Sequence, residues 1–142
     1  MRFAVGPVAA NVSSQEMRIF YSPDGSDPML VDTKAGLSAL HEKLQRFLSS
    51  SVASAEFAAE IDRSPKPYGE FLHGLRLRKA DGAARLTLDA NRWLTLEGSA
   101  AELADCVKRF LIKQENGHAH LYTTPISLVI EADSARGAEI AS

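Results

Sequence analysis

The alternation of apolar and polar residues in the middle of the chain is the feature that most constrains its fold. The stretches "FLHGLRLR" (71–78), "RLTL" (85–88) and "WLTL" (93–96) all repeat with a period of two. Because successive side chains of a strand point to opposite faces, this pattern predicts three strands, each with one apolar face. The turn-forming segments "KADGA" and "DANR" predict that these strands form an antiparallel meander.

Two amphipathic helices are predicted beside these strands. The stretch "KAGLSALHEKLQRFL" carries leucines at three- and four-residue spacings, which is the pattern of one buried helical face. In "GSAAELADCVKRFL", Ser99 and Glu102 have the spacing of a capping box that begins a second helix. Further strands are predicted at 17–21, 28–32, 54–60, 118–123 and 126–131. The expected fold is α+β: a two-layer, mainly antiparallel sheet with two helices on one face.

The two helices suggest an internal duplication. The apolar stripe of the first helix matches that of the second at an offset of 63 residues, and each helix follows a hairpin and precedes a strand. This predicts two copies of a strand-strand-helix-strand unit, at 17–62 and 68–132, separated by the proline-containing segment "DRSPKPYGE". The alternative is that any two amphipathic helices align in this way. Residues 1–132 are expected to form one domain, followed by a flexible tail at 133–142.

Composition excludes several classes of function. The formal net charge of −2 argues against a dedicated binder of duplex DNA, which needs a strong basic excess. No apolar run approaches the ~18 residues that would span a membrane, and the N-terminus lacks the pattern of a secretory signal. We therefore expect a cytoplasmic protein that does not bind membranes. The single cysteine, Cys106, lies in an apolar helical pattern and is expected to be a core residue rather than a nucleophile.

The strand alternation predicts one candidate surface. If both helices cover the apolar face of the sheet, the opposite face carries a tryptophan and a tyrosine among basic residues. Tryptophan, tyrosine and arginine are the residue types in which binding energy at protein interfaces is concentrated. The ordinary alternative is a solvated sheet face. The predicted partner-binding residues are Arg76, Arg78, Arg85, Trp93, His118, His120 and Tyr122.

His118 and His120 also raise the possibility of a metal site. On one strand face their Cα atoms would be about 6.6 Å apart, close enough for both rings to reach one zinc ion. The neighbouring residues supply no third ligand, and the sequence contains no phosphate loop, Cys-x-x-Cys pair or nucleophile elbow. We therefore expect no metal, no cofactor and no catalytic residues, and the metal-dependent enzyme is the weakest of the hypotheses.

The order of motifs in the second half resembles a known family. "PYGEFLHGLRLRKADG" is followed by "ARLTLDANRWLTLEGSAAELADCVKRFL", "GHAHLY" and "SLVIEA". This series, over about residues 67–132, resembles small bacterial immunity proteins of polymorphic toxin systems. The matching positions are Leu94, Leu96, Gly98, Ser99, Gly117, His118 and His120.

The resemblance implies a function. Members of this family are inhibitors without catalytic activity that bind a cognate toxin, often a nuclease, inside the producing cell. The competing hypothesis is a small RNA-binding or protein-interaction module that uses the same arginines, with Trp93 and Tyr122 as stacking platforms. Salt dependence distinguishes the two, because contacts to phosphates weaken steeply as ionic strength rises.

Overall fold

A computed structural model describes residues 17–21, 27–60, 70–114 and 116–133. The predicted linker, except for its last residue, and the predicted tail, except for its first residue, lie outside these ranges. In chain order the described elements are β1 (Arg18–Tyr21), β2 (Met29–Asp32), α1 (Lys34–Ser49), β3 (Ser54–Ala58), β4 (Glu70–Phe71), β5 (Gly74–Lys79), β6 (Arg85–Leu88), β7 (Trp93–Gly98), α2 (Ala100–Lys108), β8 (His118–Leu121), β9 (Thr124–Pro125) and β10 (Leu128–Ala132). None of the described helices has the length and apolarity needed to cross a membrane.

Both helices begin at a hydroxyl cap. The Thr33 side chain accepts the N–H of Gly36 at 3.0 Å, and the Ser99 side chain accepts the N–H of Glu102 at 3.2 Å. The predicted capping box is completed differently, because the Glu102 carboxylate accepts the N–H of Ala84 at 3.1 Å. That contact ties the start of α2 to the chain just before β6.

The strands form two five-stranded sheets. The first sheet has the order β4-β1-β2-β10-β8, and the second has the order β3-β5-β7-β6-β9. Five of the eight strand pairs are antiparallel and three are parallel. The predicted α+β class with mainly antiparallel pairing is therefore confirmed, and residues 54–58 form a strand as expected.

The predicted meander of the three central strands is wrong. β7 lies between β5 and β6, and it pairs with β5 in parallel and with β6 in an antiparallel hairpin. All three strands present leucines to one face, so their alternation was correctly predicted. Alternation identifies the buried face of a strand but carries no information about which strand lies beside it.

The duplication is present, in a longer form than the sequence suggests. Each half consists of a hairpin, a helix, a strand, a two-residue strand and a final strand, so β1–β5 corresponds to β6–β10. The boundary falls at 80–84, between β5 and β6, and not in the proline-containing segment. The two N-cap residues, Thr33 and Ser99, are 66 positions apart. The predicted offset of 63 differs by three residues, less than one helical turn, so it still matched one apolar stripe with the other.

The halves exchange strands. In the first sheet, the hairpin β1–β2 of the first half lies beside β10 and β8 of the second half. In the second sheet, the hairpin β6–β7 of the second half lies beside β5 and β3 of the first half. The cross-strand registers show the same arrangement twice. Across the first sheet one row is Ile19–Leu30–Ile130–Ala119, and across the second sheet the corresponding row is Leu86–Leu96–Leu77–Ala55. The leucines and isoleucines of both rows are fully buried.

One hydrophobic core contains the inner faces of both sheets and the apolar stripes of both helices. Its members include Leu37, Leu40, Leu44, Leu75, Leu77, Leu94, Leu96, Leu103, Phe110, Leu128 and Ile130. Cys106 is also a member, as expected for a small core residue. Because each helix contacts the other and both sheets belong to the same cluster, the two halves share their interior.

Thr33→Ala should lower the free energy of unfolding by about 1 kcal/mol, because it leaves a helix N-terminal N–H without its side-chain acceptor. Ser99→Ala is expected to have an effect of similar size at the equivalent position. Ser38→Ala, at an exposed position inside α1, is the control and should be neutral or slightly stabilising. Urea unfolding measures all three; equal stability of Thr33→Ala and Ser38→Ala would contradict the capping role.

Candidate functional site

Four of the predicted partner-binding residues lie together on the outer face of the second sheet. β5 contributes Arg76 and Arg78, β6 contributes Arg85, and β7 contributes Trp93. Along each strand these residues alternate with buried leucines, so their side chains point away from the core. We call these four residues, with Glu56, Asp89, Thr95 and Glu97, the arginine face.

Arg76 is at the centre of the arginine face. Its Nε and Nη2 atoms lie 2.9 and 2.8 Å from Oε2 of Glu56. Its Nη1 donates at 3.3 Å both to Oδ2 of Asp89 and to the hydroxyl of Thr95. Hydrogen bonding to Glu56, followed by the attraction of the carboxylates, raises the pKa of Arg76. These contacts hold the guanidinium in one orientation.

Asp89 fixes the turn that leads into β7. Its Oδ1 accepts the N–H groups of Asn91 at 2.8 Å and Trp93 at 3.1 Å, while Oδ2 faces Arg76. The pKa of Asp89 is lowered, first by the Trp93 N–H and then by the Asn91 N–H and Arg76. The charged carboxylate therefore joins the turn to the arginine of the neighbouring strand.

Trp93 packs against the sheet beside Arg76. The Arg76 Cζ atom lies 5.3 Å from the indole centroid, within range of a cation–π contact. The other neighbour is Gly74, the register partner of Trp93 in β5. A methyl group added at Gly74 would lie 2.5 Å from the Trp93 Cζ3 atom, so the ring occupies the space that a side chain would need. The indole is thus a rigid, partly buried part of the surface.

The remaining arginines make the face nearly neutral in charge. Nη1 of Arg78 lies 3.5 Å from Oε1 of Glu97, and both side chains are partly exposed. Arg85 is exposed and is also a register partner of Glu97. The three arginines of the face are therefore interleaved with three carboxylates, those of Glu56, Asp89 and Glu97.

The other three predicted residues do not belong to this face. His118 and His120 lie on β8 in the first sheet, and Tyr122 follows that strand. The sequence placed them with the arginines because they alternate in the same way, but β8 pairs with β10 and not with a strand of the second sheet. The histidines and the arginines are separated because each half contributes its last strands to the sheet that contains the hairpin of the other half.

His118, His120 and Tyr122 form a row of exposed rings, here called the aromatic row. The two imidazoles meet edge to face with centroids 5.3 Å apart. The rings of His120 and Tyr122 stack with centroids 5.5 Å apart and an angle of 8° between their planes. Tyr122 is 80% exposed, which is unusual for a large aromatic side chain.

Metal binding and cysteine chemistry find little support in these contacts. Among the described residues no group of three or more histidine, cysteine, aspartate or glutamate side chains is placed to hold a metal ion. Burial, assisted by Glu102 and Asp105, raises the pKa of the Cys106 thiol to about 11. At neutral pH Cys106 therefore stays a thiol and lacks the thiolate character of a nucleophile.

Sequence analysis missed the depressions beside β8. One cleft of about 630 Å³ lies between α2 and the end of β8, and another of about 570 Å³ lies between the α2–β8 connection and the start of β8. Lys108 and Arg109 line both. The sequence signal is the run of basic residues late in the second helical pattern, Lys108, Arg109 and Lys113.

Comparison with protein-family models, with curated proteins and with solved structures finds no match for this chain. The resemblance to immunity proteins therefore remains a prediction from short motifs.

Gly74→Ala should destabilise the protein by about 1–3 kcal/mol, because the new methyl group collides with the Trp93 ring and the Phe57 carbonyl oxygen. Trp93 is the single tryptophan of the chain, so fluorescence reports its displacement as a shift of the emission to longer wavelength. Ser54→Ala, at an exposed position of the same sheet, should change neither property. Unchanged emission and stability in Gly74→Ala would show that the indole does not lie over Gly74.

Proposed function

We propose that this protein binds and neutralises a cognate protein toxin without catalysis, and that the arginine face is the surface that contacts the toxin. The observation that carries the proposal is the fixed Arg76–Trp93 pair at the centre of an otherwise charged sheet face. Tryptophan and arginine dominate the energetics of protein interfaces, and side chains that are already ordered lose less entropy on binding.

Charge favours a protein partner over RNA. A surface that follows a nucleic-acid backbone needs an excess of basic residues, whereas the three arginines of this face alternate with three carboxylates. Mixed charge around an aromatic centre suits a protein surface with complementary charges, which fixes the orientation of the partner. The RNA-binding hypothesis is therefore the weaker of the two.

The family resemblance supports the nature of the partner. The motifs that resemble immunity proteins cover 67–132, which includes three of the strands that build the arginine face. A cognate toxin is the partner that this resemblance implies, and the producing cell is the place where the two proteins would meet. We infer a cytoplasmic protein on this basis.

The proposal is tested by expressing the protein together with a candidate toxin, chosen from the genes next to its own, and by measuring cell survival. The double variant Arg78→Ala/Arg85→Ala should weaken toxin binding by about 30-fold, on the basis of about 1 kcal/mol for each arginine, and should lower protection at low expression. It leaves the Arg76–Trp93 pair in place, so the melting temperature should change little.

The matched control is Lys34→Ala/Arg46→Ala, which removes the same charge from exposed positions of α1. It should protect like the wild type. If the Arg78→Ala/Arg85→Ala protein is stable, binds the toxin with unchanged affinity and protects fully, the arginine face is not the contact surface. Failure of the wild-type protein to protect against this toxin would contradict the function itself.

A further inference from the structure

The outer edge of β8 presents backbone hydrogen-bonding groups that none of the described strands uses. The N–H of Ala132 donates to the carbonyl of Gly117 at 2.8 Å, which fixes the phase of the β8–β10 ladder. In an antiparallel pair, residues that bond to the partner strand alternate with residues whose backbone groups point away from it. The N–H and C=O groups of His118 and His120 therefore point outward, and no strand within the described ranges pairs with that edge.

A groove accompanies this edge. The two clefts described above adjoin one another through Lys108 and Arg109 and follow β8 from its first residues to the segment after its end. We call this the α2–β8 groove. Lys108, Arg109 and Lys113 line one side, and Ala119, Leu121 and Tyr122 line the other.

The equivalent edge in the first half is built differently. By register, β3 corresponds to β8, and Glu56 takes the place of His120. Glu56 is bound to Arg76, and a charge on an edge strand discourages further pairing. In the second half Val129 occupies the place of Arg76, so His120 faces no such partner. The β8 strand, "HAHL", contains no lysine, glutamate or proline that would protect its edge.

The two helices also differ in length, and so do the connections that lead from them to β3 and β8. α1 has 16 residues and leads to β3 through residues 50–53, whereas α2 has nine residues and leads to β8 through residues 109–117. A shorter helix and a longer connection therefore create the α2–β8 groove in the second half. The two halves share one plan, so this local difference marks the groove as a specific feature of the second half.

The charge of the side chains that line the α2–β8 groove indicates which kind of ligand it binds. Among the described residues that line the smaller cleft are three cations, Lys108, Arg109 and Lys113, and no aspartate or glutamate. The larger cleft also contains Glu102 and Asp105, so the positive charge of the groove is concentrated in the smaller cleft, beside the start of β8. Lys108 also lies 3.6 Å from Asp105, but both groups are largely exposed, and such a surface pair is easily exchanged. No ion pair of Arg109 or Lys113 occurs within the described part of the chain.

We propose that the α2–β8 groove binds an extended acidic segment of a partner protein, which adds to the first sheet as a strand beside β8. The outward backbone groups of His118 and His120 bond the added strand. Its alternate side chains point to the two faces of the sheet, one set toward the cations of the groove and the other beside the aromatic row. This surface is separate from the arginine face and does not require that the partner be a toxin.

The probe is a library of random dodecapeptides displayed on phage and selected on the full-length protein. The selected peptides should carry acidic residues at alternating positions. A synthetic copy of the most enriched peptide should slow hydrogen exchange of the His118 and His120 amides, which exchange quickly in the free protein. The amides of Ala119 and Leu121, which face β10, should be protected already without peptide.

Charge variants distinguish binding of the peptide in the groove from a general electrostatic attraction between the peptide and the protein. Lys113→Glu should weaken binding of the peptide by about tenfold, since it places a negative charge beside an acidic strand. Lys34→Glu makes the same change in charge at an exposed position on α1 and should leave the affinity within about twofold. Circular dichroism confirms that both variants are folded.

Three results would overturn the proposal. The first is that selection yields no peptides, or peptides without acidic residues. The second is that the peptide protects amides elsewhere and leaves those of His118 and His120 unchanged. The third is that these two amides are already protected in the free protein and sedimentation shows a dimer, because the edge would then pair with a second copy of the chain.

Discussion

Two parallel strand pairs, β2 with β10 and β5 with β7, hold this fold together. Each pair lies at the centre of a five-stranded sheet and joins a strand of one half to a strand of the other. The pairs bury Leu30 against Ile130 and Leu96 against Leu77, all of them without solvent exposure. Neither half can complete a sheet with its own strands, so the interior forms only when both halves are present.

Strand exchange also determines which charged and aromatic side chains lie together on the surface. It puts β5 beside β7, which brings Arg76 to Trp93 and Thr95, and it puts β8 in the other sheet. Corresponding positions of the two sheets then differ. One outer face carries a fixed network of arginines and carboxylates, and the edge of the other carries exposed imidazoles and a tyrosine. The duplicated plan thus supports two unlike surfaces.

The sequence predicts the parts of this structure that depend on local physics. The start of α2 at Ser99 was predicted because a hydroxyl cap acts within three residues, and the buried faces of β5, β6 and β7 follow from their alternation. Pairing order depends on contacts between distant segments, which a period of two does not encode. For that reason the meander was wrong, the division of the strands between two sheets was not predicted, and the histidines were placed beside the arginines.

The candidate site shows the same division between features that follow from local sequence and features that depend on contacts between distant segments. The outward direction of Arg76, Arg78, Arg85 and Trp93 follows from alternation and was predicted correctly. The partners of these residues were not predicted, because Glu56 and Asp89 reach Arg76 from other strands and turns. Gly74 gave no sequence signal for its contact with Trp93, since a glycine in a strand indicates close packing without identifying the neighbour. The α2–β8 groove arises where the helix is shorter and its connection longer than in the first half, a difference that is apparent only when the elements of the two halves are matched.

Native-state hydrogen exchange at increasing concentrations of denaturant tests the central claim, that the exchanged strands make one cooperative unit. The central strands β10 and β5 belong to different halves and different sheets, so the comparison concerns the amides of Ile130 and Leu77. We expect both amides to exchange only through global unfolding, with the same free energy and the same dependence on denaturant. Exchange of one of them at a clearly lower free energy, while the other stays protected, would show that the sheets unfold separately and that the two halves do not form one cooperative unit.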